Sequence, residues 1–188
     1  MNNRILLVVT GASRGLGRAI CQALAEKQED NFRIVRCCLV ARSRDGLAAT
    51  RDLLLQSPWT NTGKSSSPER RWIVDTHVLD LGDLDALDMK WQEIMQNLTP
   101  TDFDKLILIN NAGSIGEIAP MVTSQSSLKE WKQTIDLNIT SCFWTTRVWG
   151  QWAISNKLPA TLVNISSLMA VQPFPTMSLY SAGKAVCS

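Results

Sequence analysis

A tyrosine and a lysine stand four positions apart in the stretch SLYSAGKA, which contains Tyr180 and Lys184. On an α-helix, residues at i and i+4 share a face, so the phenol and the ammonium can lie close together. A nearby positive charge stabilises a phenolate and lets a tyrosine exchange protons near neutral pH. Such a tyrosine can give a proton to a carbonyl oxygen while a hydride reaches the carbon. The pair predicts carbonyl reduction, although a Tyr-x-x-x-Lys pair alone is more often a surface coincidence.

A serine hydroxyl could complete this chemistry. The apolar stretch ATLVNISS ends with Ser166 and Ser167, and Ser167 lies thirteen positions before Tyr180. A hydroxyl at that place can donate a hydrogen bond to the oxygen on which charge builds during reduction. The residue types alone leave the choice between the two serines open.

A glycine-rich loop, TGASRGLG, joins the first apolar run to the first helical pattern and contains Gly11, Gly15 and Gly17. Glycines allow close backbone approach, and the free N–H groups at a helix N-terminus attract a phosphate. Three glycines alone would equally fit a tight strand–helix turn. Their position after a buried first strand favours phosphate binding.

The end of the second apolar run, LVARSRD, indicates which dinucleotide would bind. A cofactor with a free ribose 2′-hydroxyl usually meets Asp or Glu at this place, but this chain has Ala41 and Arg42. Arginine can pair with a 2′-phosphate, and Arg14 in the glycine loop adds a second cation. We therefore expect NADP(H) rather than NAD(H), with a solvated surface role for Arg42 as the alternative.

The elements that must position these residues alternate between strand and helix. This order predicts an α/β fold, a doubly wound parallel sheet of the Rossmann type, in a single domain over residues 1–188. Inward-facing leucines are expected in the first helix (Leu16, Leu24, with Ile20) and in the second (Leu47, Leu54, Leu55). The predicted strands are Arg4–Thr10, Arg33–Ala41, Arg71–Asp80, Lys105–Asn110 and Ala160–Ser166. The predicted helices are Arg14–Lys27, Arg44–Ser57, Leu84–Leu98, about Ser127 to Trp152, and one from near Ser178, with a surface loop at Ser57–Arg70.

Composition narrows the possible functions. The chain has 188 residues, 45% of them hydrophobic and 19% charged, with a net charge of +2. That charge is too small to favour nucleic acid or an anionic membrane as a partner. The longest early apolar run, Ile5 to Val9, is too short for a membrane span or a signal peptide.

The cysteines and the single histidine predict neither a disulfide framework nor a metal. Five cysteines, two of them adjacent, favour reduced thiols in a cytoplasmic protein, with Cys37 and Cys38 buried and inert. His77 lies in a strand and has no Cys/His cluster at ligand spacing, so we expect no metal site. Trp144, Trp149 and Trp152 are expected to pack in the core or at a subunit interface.

Six ordered motifs resemble the short-chain dehydrogenase/reductase family. They are TGASRGLG, LDLGD (79–83), NNAG (110–113), Asn138 within DLNIT, NISS (164–167) and Tyr180-x-x-x-Lys184. The resemblance implies Ser167, Tyr180, Lys184 and Asn138 as catalytic residues, with the lysine also on the nicotinamide ribose and the asparagine anchoring a water. It places Ser167, Leu168 and Tyr180 on the substrate. It implies NADP(H) contacts from Gly11, Ser13, Arg14, Gly15, Leu16, Gly17, Arg42, Ser43, Asp80, Leu81, Asn111, Ala112, Gly113, Tyr180 and Lys184. Asp80 could instead cap the third helix.

Longer stretches refine this resemblance. LINNAGSIGE, VNISSLMAVQPF and LYSAGKA are similar to the branch of the family that reduces pterin side-chain ketones in tetrahydrobiopterin synthesis. A carbonyl or diketone reductase with the same active groups is one alternative, and a truncated, non-catalytic chain is another. Family members continue well beyond the Tyr–Lys helix, so the resemblance implies missing C-terminal strands and a missing substrate-covering region. It also implies a homodimer for the full-length protein.

Overall fold

Five parallel strands form one sheet at the centre of the protein. The computed structural model describes residues 4–27, 33–56, 73–172 and 174–187. The strands are β1 (Arg4–Thr10), β2 (Arg33–Ala41), β3 (Ile73–Val78), β4 (Lys105–Asn110) and β5 (Ala160–Asn164). Their order in the sheet is β3-β2-β1-β4-β5, and every neighbouring pair is parallel. The predicted doubly wound fold is confirmed.

Helices connect the strands and cover both faces of the sheet. They are α1 (Gly15–Glu26), α2 (Arg44–Leu55), α3 (Leu84–Gln96), α4 (Leu128–Ile135), α5 (Ser141–Ser155) and α6 (Ser178–Val186). Side-chain caps set several helix starts: Ser43 accepts from the Gly46 N–H, and Ser127 and Glu130 form a capping box. None of the helices in the described residues is long and apolar enough to cross a membrane.

The predicted element boundaries agree closely with this structure. β1, β2 and β4 match the predicted ranges residue for residue. The predicted helix from about Ser127 to Trp152 is present as α4 and α5, joined by a π-helical turn at Asp136–Thr140. The loop predicted at Ser57–Arg70 lies outside the described residues.

Two apolar cores fill the space between the sheet and its helices, because alternate residues of β1 point to opposite faces. One core contains Trp91 of α3 and Trp149 of α5, whose rings meet edge to face with centroids 5.7 Å apart. The other lies under α1 and α2 and includes Cys37. Cys38 belongs to the first core, so the adjacent thiols face opposite sides, and the predicted burial of both is confirmed.

Two of the predicted inward-facing leucines were assigned to the wrong side of their helices. Leu16 is 56% exposed, because α1 approaches the sheet with its small residues Gly17, Cys21 and Ala25. Ile20 and Leu24 pack only at the edge of this contact. Leu55 is 36% exposed at the end of α2, whereas Leu47 and Leu54 are buried as predicted.

The strand order reverses beside β1. The chain builds outward from β1 to β2 and β3, then crosses to β4 on the other side of β1. In open α/β sheets, ligands bind outside the carboxyl ends of the strands at such a switch point. The residues that follow β1 and β4 are therefore the first candidates for a binding site.

Candidate functional site

The carboxyl ends of β1 and β4 are locked together by Thr10 and Asn111. The Thr10 hydroxyl accepts hydrogen bonds from the backbone N–H groups of Asn111 and Ala112, at 3.0 and 3.1 Å. The Asn111 side-chain amide donates to the carbonyl oxygens of Thr10 and Gly11, at 3.0 and 3.3 Å. These bonds hold the glycine loop directly beside the NNAG segment.

The glycine loop requires glycine at three of its positions, for two different reasons. Gly11 has a φ of +67° and Gly15 a φ of +56°, which side-chain-bearing residues rarely adopt. Gly17 is needed for a different reason: a Cβ there would lie 2.4 Å from the Gly11 carbonyl oxygen and 2.6 Å from Asn111 Nδ2. The loop and the start of α1 are thus packed backbone to backbone, as a phosphate-binding turn requires.

A cleft of about 670 Å³ opens between the glycine loop and the ends of β2, β3 and β4. Most of the residues predicted to contact the cofactor line this cleft: Gly11, Ser13, Arg14, Gly15, Arg42, Ser43, Asp80, Leu81, Asn111, Ala112 and Gly113. Leu16, Gly17, Tyr180 and Lys184 are not among its lining residues. Their predicted contacts with a cofactor therefore stay predictions.

Three arginines, Arg14, Arg18 and Arg42, and one aspartate define the charge of the cleft. Arg14 and Arg42 line it from the glycine loop and from the end of β2. The Arg42 guanidinium faces Asp80, with 3.8 Å between Nη1 and Oδ2, and both side chains are about half exposed or more. An exposed pair at this distance is weak, so Arg42 can turn toward a phosphate at little cost. Asp80 itself accepts from the Gly82 N–H and shapes the turn before α3.

The Tyr–Lys pair lies on α6, as predicted from its spacing. Lys184 Nζ lies 5.7 Å from the centre of the Tyr180 ring and donates to the Ile165 carbonyl oxygen at 2.7 Å. Burial lowers the pKa of Lys184, although the nearby thiols of Cys187 and Cys142 oppose this shift. A Cβ on Gly113 would lie 3.7 Å from Lys184 Nζ, so the NNAG segment passes close to the lysine. Lys184 therefore lies close to Gly113, one of the residues that line the cleft.

Asn138 occupies the π-helical turn between α4 and α5 and is buried. Its side-chain oxygen accepts from the Ser114 N–H at 2.9 Å, and its Nδ2 donates to the Ser114 carbonyl at 2.8 Å. The widened turn thus points this amide at the segment that follows β4, next to Gly113. π-helical turns occur frequently at functional sites.

The two neighbouring serines after β5 have different surroundings. The Ser167 hydroxyl accepts from the Met169 N–H at 3.3 Å and caps a short 3₁₀ turn. The Ser166 hydroxyl donates instead to the Lys184 carbonyl at 3.4 Å, which ties the strand end to α6. Leu168, predicted on the substrate, is 61% exposed beside Ser167. Ser166 is therefore engaged with the helix backbone, and the catalytic role predicted for Ser167 stays a prediction.

Glu117 is a residue that motif reading did not identify. It lines a second cavity of about 820 Å³, which shares Arg42, Asp80 and Leu137 with the cleft. Hydrogen bonds from the hydroxyls of Ser124 and Ser126 lower the pKa of Glu117 to about 2. The carboxylate thereby holds the segment after β4 in a closed loop between Glu117 and Ser126. No sequence signal announces these bonds, because the acceptor and its donors are seven to nine positions apart in irregular chain.

Cys38, Asp75 and His77 place a thiol, a carboxylate and an imidazole within 4.8 Å of one another. The parallel register pairs Cys38 with Asp75, a neighbourhood that sequence spacing could not show. Asp75 already accepts from Arg36 Nε at 2.6 Å, and burial raises the pKa of the Cys38 thiol to about 12. A paired carboxylate and a protonated thiol are weak metal ligands. The absence of a metal site in this protein stays a prediction.

Comparisons with known proteins agree with this geometry. The family model described as short chain dehydrogenase matches residues 6–188. A curated sepiapterin reductase from Meriones unguiculatus is 33% identical over 181 residues, covering 95% of this chain and 63% of the relative. A benzil reductase ((S)-benzoin forming) from Bacillus subtilis (strain 168) is 26% identical over 180 residues, covering 96% of this chain and 62% of the relative. The chain thus spans less than two thirds of the length of these relatives.

One solved structure gives the same result for the fold. A metagenomic short-chain oxidoreductase in complex with NADP superposes with a TM-score of 0.72 at 26% sequence identity. The superposition covers 97% of this chain and 71% of that protein.

Proposed function

The chain belongs to the short-chain dehydrogenase family, and from this we infer that it forms the dinucleotide-binding and catalytic part of an NADPH-dependent carbonyl reductase. The observation that carries the proposal is the position of the Tyr180–Lys184 pair. Lys184 of this pair lies close to Gly113, which lines the cleft together with the glycine loop and three arginines.

The residues of the cleft fit a dinucleotide that carries a 2′-phosphate. The glycine loop exposes backbone N–H groups at the start of α1, where a pyrophosphate is favoured. Arg42 supplies a cation at the end of β2, where a cofactor with a free 2′-hydroxyl would need an acidic residue, and Arg14 supplies a second cation from the glycine loop. Asp80 and Leu81 also line the cleft, and we propose that they contact the adenine.

The roles of the catalytic groups follow from their chemistry. A bound nicotinamide supplies the hydride. Tyr180 gives its phenolic proton to the carbonyl oxygen, and the positive charge of Lys184 stabilises the phenolate that remains. Ser167 donates a hydrogen bond to the same oxygen while charge develops on it. Asn138, held by Ser114, orients a water that returns a proton toward Lys184.

For the substrate we propose a ketone in the side chain of a pterin. The support is the 33% identity to a sepiapterin reductase over nearly the whole chain. The relative that reduces benzil supports a second candidate, a diaryl diketone. Both substrates present a carbonyl to the same three polar groups, and we propose that Leu168 contacts whichever of them is bound. We also propose that the protein works in the cytoplasm as a homodimer, with tetrahydrobiopterin synthesis as its setting.

The test is turnover by the protein that contains this chain, followed as NADPH oxidation with sepiapterin and, separately, with benzil. We expect reduction of sepiapterin to be faster, and we expect Tyr180→Phe to lower it by about 10²-fold or more, because positioned acid–base catalysis contributes that much. NADPH affinity should be unchanged in this variant, since phenylalanine keeps the ring. Faster turnover of benzil would support the second candidate. NADPH binding without turnover of either ketone would favour a non-catalytic chain.

A further inference from the structure

The contact between the glycine loop and α2 is held by a cation from α1. Arg18 donates from Nη2 to the carbonyl oxygens of Ser13 and Gly46, the latter at 3.3 Å, and from Nε to Thr50 Oγ1 at 2.9 Å. Within residues 4–27, 33–56, 73–172 and 174–187, no carboxylate forms a salt bridge with Arg18. Its hydrogen bonds go to neutral oxygen acceptors, although the residue also lines the cleft.

Thr50 completes this network from inside the protein. Its side chain is fully buried, and its hydroxyl lies 2.9 Å from the Ala12 carbonyl oxygen and 3.0 Å from that of Gly46. Thr50 Oγ1 also accepts the hydrogen bond from Arg18 Nε, so this one hydroxyl connects the glycine loop, α1 and α2. A buried network of this kind fixes geometry only while each member keeps its partners.

The backbones joined by this network are in close contact. A Cβ on Gly46 would lie 2.9 Å from both Cβ and the carbonyl oxygen of Ser13, and 3.0 Å from Ser43 Oγ. The first turn of α2 therefore rests directly on the glycine loop. Residues of both segments line the cleft: Ser13 and Arg14 of the glycine loop, and Arg42, Ser43 and Gly46 at the end of β2 and the start of α2.

We propose that Arg18 and Thr50 are positioning residues that set the selectivity for a 2′-phosphorylated dinucleotide, because they fix the separation between Arg14 and Arg42. The inference rests on the proposed function. A single phosphate can be held by both arginines only at one spacing of the two segments. A pyrophosphate would be held by the glycine loop and the start of α1, so its binding would be less sensitive to a movement of α2.

The test measures dissociation constants for NADPH and NADH on the protein that contains this chain. Thr50→Val removes the hydroxyl without changing any charge, and Arg18→Met removes the guanidinium. In each variant we expect the dissociation constant for NADPH to rise by about tenfold and that for NADH by less than about threefold, as for the loss of one charged hydrogen bond. As a control, Arg51→Met removes an exposed cation from α2 and should change neither dissociation constant.

Thr50→Ser keeps the hydroxyl and should retain the selectivity of the unmodified protein, which separates the hydrogen bonds from general packing. Equal losses for both dinucleotides in Thr50→Val would overturn the inference, because they would show a purely structural role. Loss of selectivity in Arg18→Met but not in Thr50→Val would also overturn it, since Arg18 would then act by its own charge. If the unmodified protein bound no NADPH, the proposed function itself would fail, and this inference with it.

Discussion

Replacing Gly17 by alanine should destabilise the protein, although alanine is the better helix former. The site lies in the first turn of α1, where a Cβ would meet the Gly11 carbonyl oxygen at 2.4 Å and Asn111 Nδ2 at 2.6 Å. Neither neighbour can easily give way: the first is backbone, and the second is held by bonds to the Thr10 and Gly11 carbonyls. Overpacking of this kind costs up to about 3 kcal/mol, against a helix-propensity gain of at most about 1 kcal/mol. The expected net loss is about 2 kcal/mol.

Gly150 offers a matched control in α5. Among the described residues, no atom outside the adjoining helix backbone lies within 4 Å of the place where its Cβ would stand, so Gly150→Ala should gain helix propensity without a clash. We expect this variant to be stabilised by about 0.5–1 kcal/mol. The same chemical change should therefore have opposite signs at the two positions.

The free energy of unfolding of each variant can be measured by urea denaturation, with NADPH affinity measured in parallel. For a chain of this size, about 2 kcal/mol corresponds to a fall in melting temperature of roughly 4–8 °C. Gly17→Ala should also weaken NADPH binding, because relief of the clash displaces the glycine loop. A Gly17→Ala protein as stable as the unmodified chain would refute the backbone contact between α1 and that loop.

Two further predictions concern charge. Arg42→Ala should raise the dissociation constant for NADPH by about tenfold and leave that for NADH nearly unchanged. Arg44 does not line the cleft, so Arg44→Ala should alter neither constant. Equal losses of affinity for both cofactors in Arg42→Ala would contradict the role of Arg42. Burial lowers the pKa of His77 below 6.5, so the imidazole binds a proton more tightly in the unfolded chain than in the folded protein. The free energy of unfolding should therefore fall as the pH drops below 6.5. In urea unfolding, His77→Gln should remove this loss of stability at low pH. An NMR titration of the single histidine should give a pKa below 6.5, and a pKa at or above 6.5 would contradict the prediction.

The sheet was predictable mainly because β1, β2 and β4 are rich in apolar residues. These strands are buried over most of their length, and such runs begin and end abruptly in the sequence. The helix faces were harder to predict. A spacing of four fits Leu16, Ile20 and Leu24 as well as the adjacent stripe Gly17, Cys21 and Ala25. The small residues form the contact because α1 lies close to the sheet.

The candidate site likewise contains some features that the sequence could predict and others that it could not. Motifs that act through local backbone shape, such as the glycine loop and the Tyr–Lys spacing, could be read from the sequence. The Arg18–Thr50 bond joins residues 32 positions apart, and Glu117 bonds across an irregular loop. Both depend on how separate segments pack, which no local pattern encodes.

Lys184 shows why the choice of variant matters for testing this site. Its ammonium donates to the carbonyl of Ile165, the residue that directly follows β5, so it fastens α6 to the sheet as well as facing Tyr180. Replacing Lys184 would remove a charge beside the phenol and a structural bond together. A loss of activity would then not distinguish chemistry from misplacement of α6. Tyr180→Phe removes only a hydroxyl and leaves the bond between Lys184 and Ile165 intact. The tyrosine variant is therefore the sharper test of proton donation.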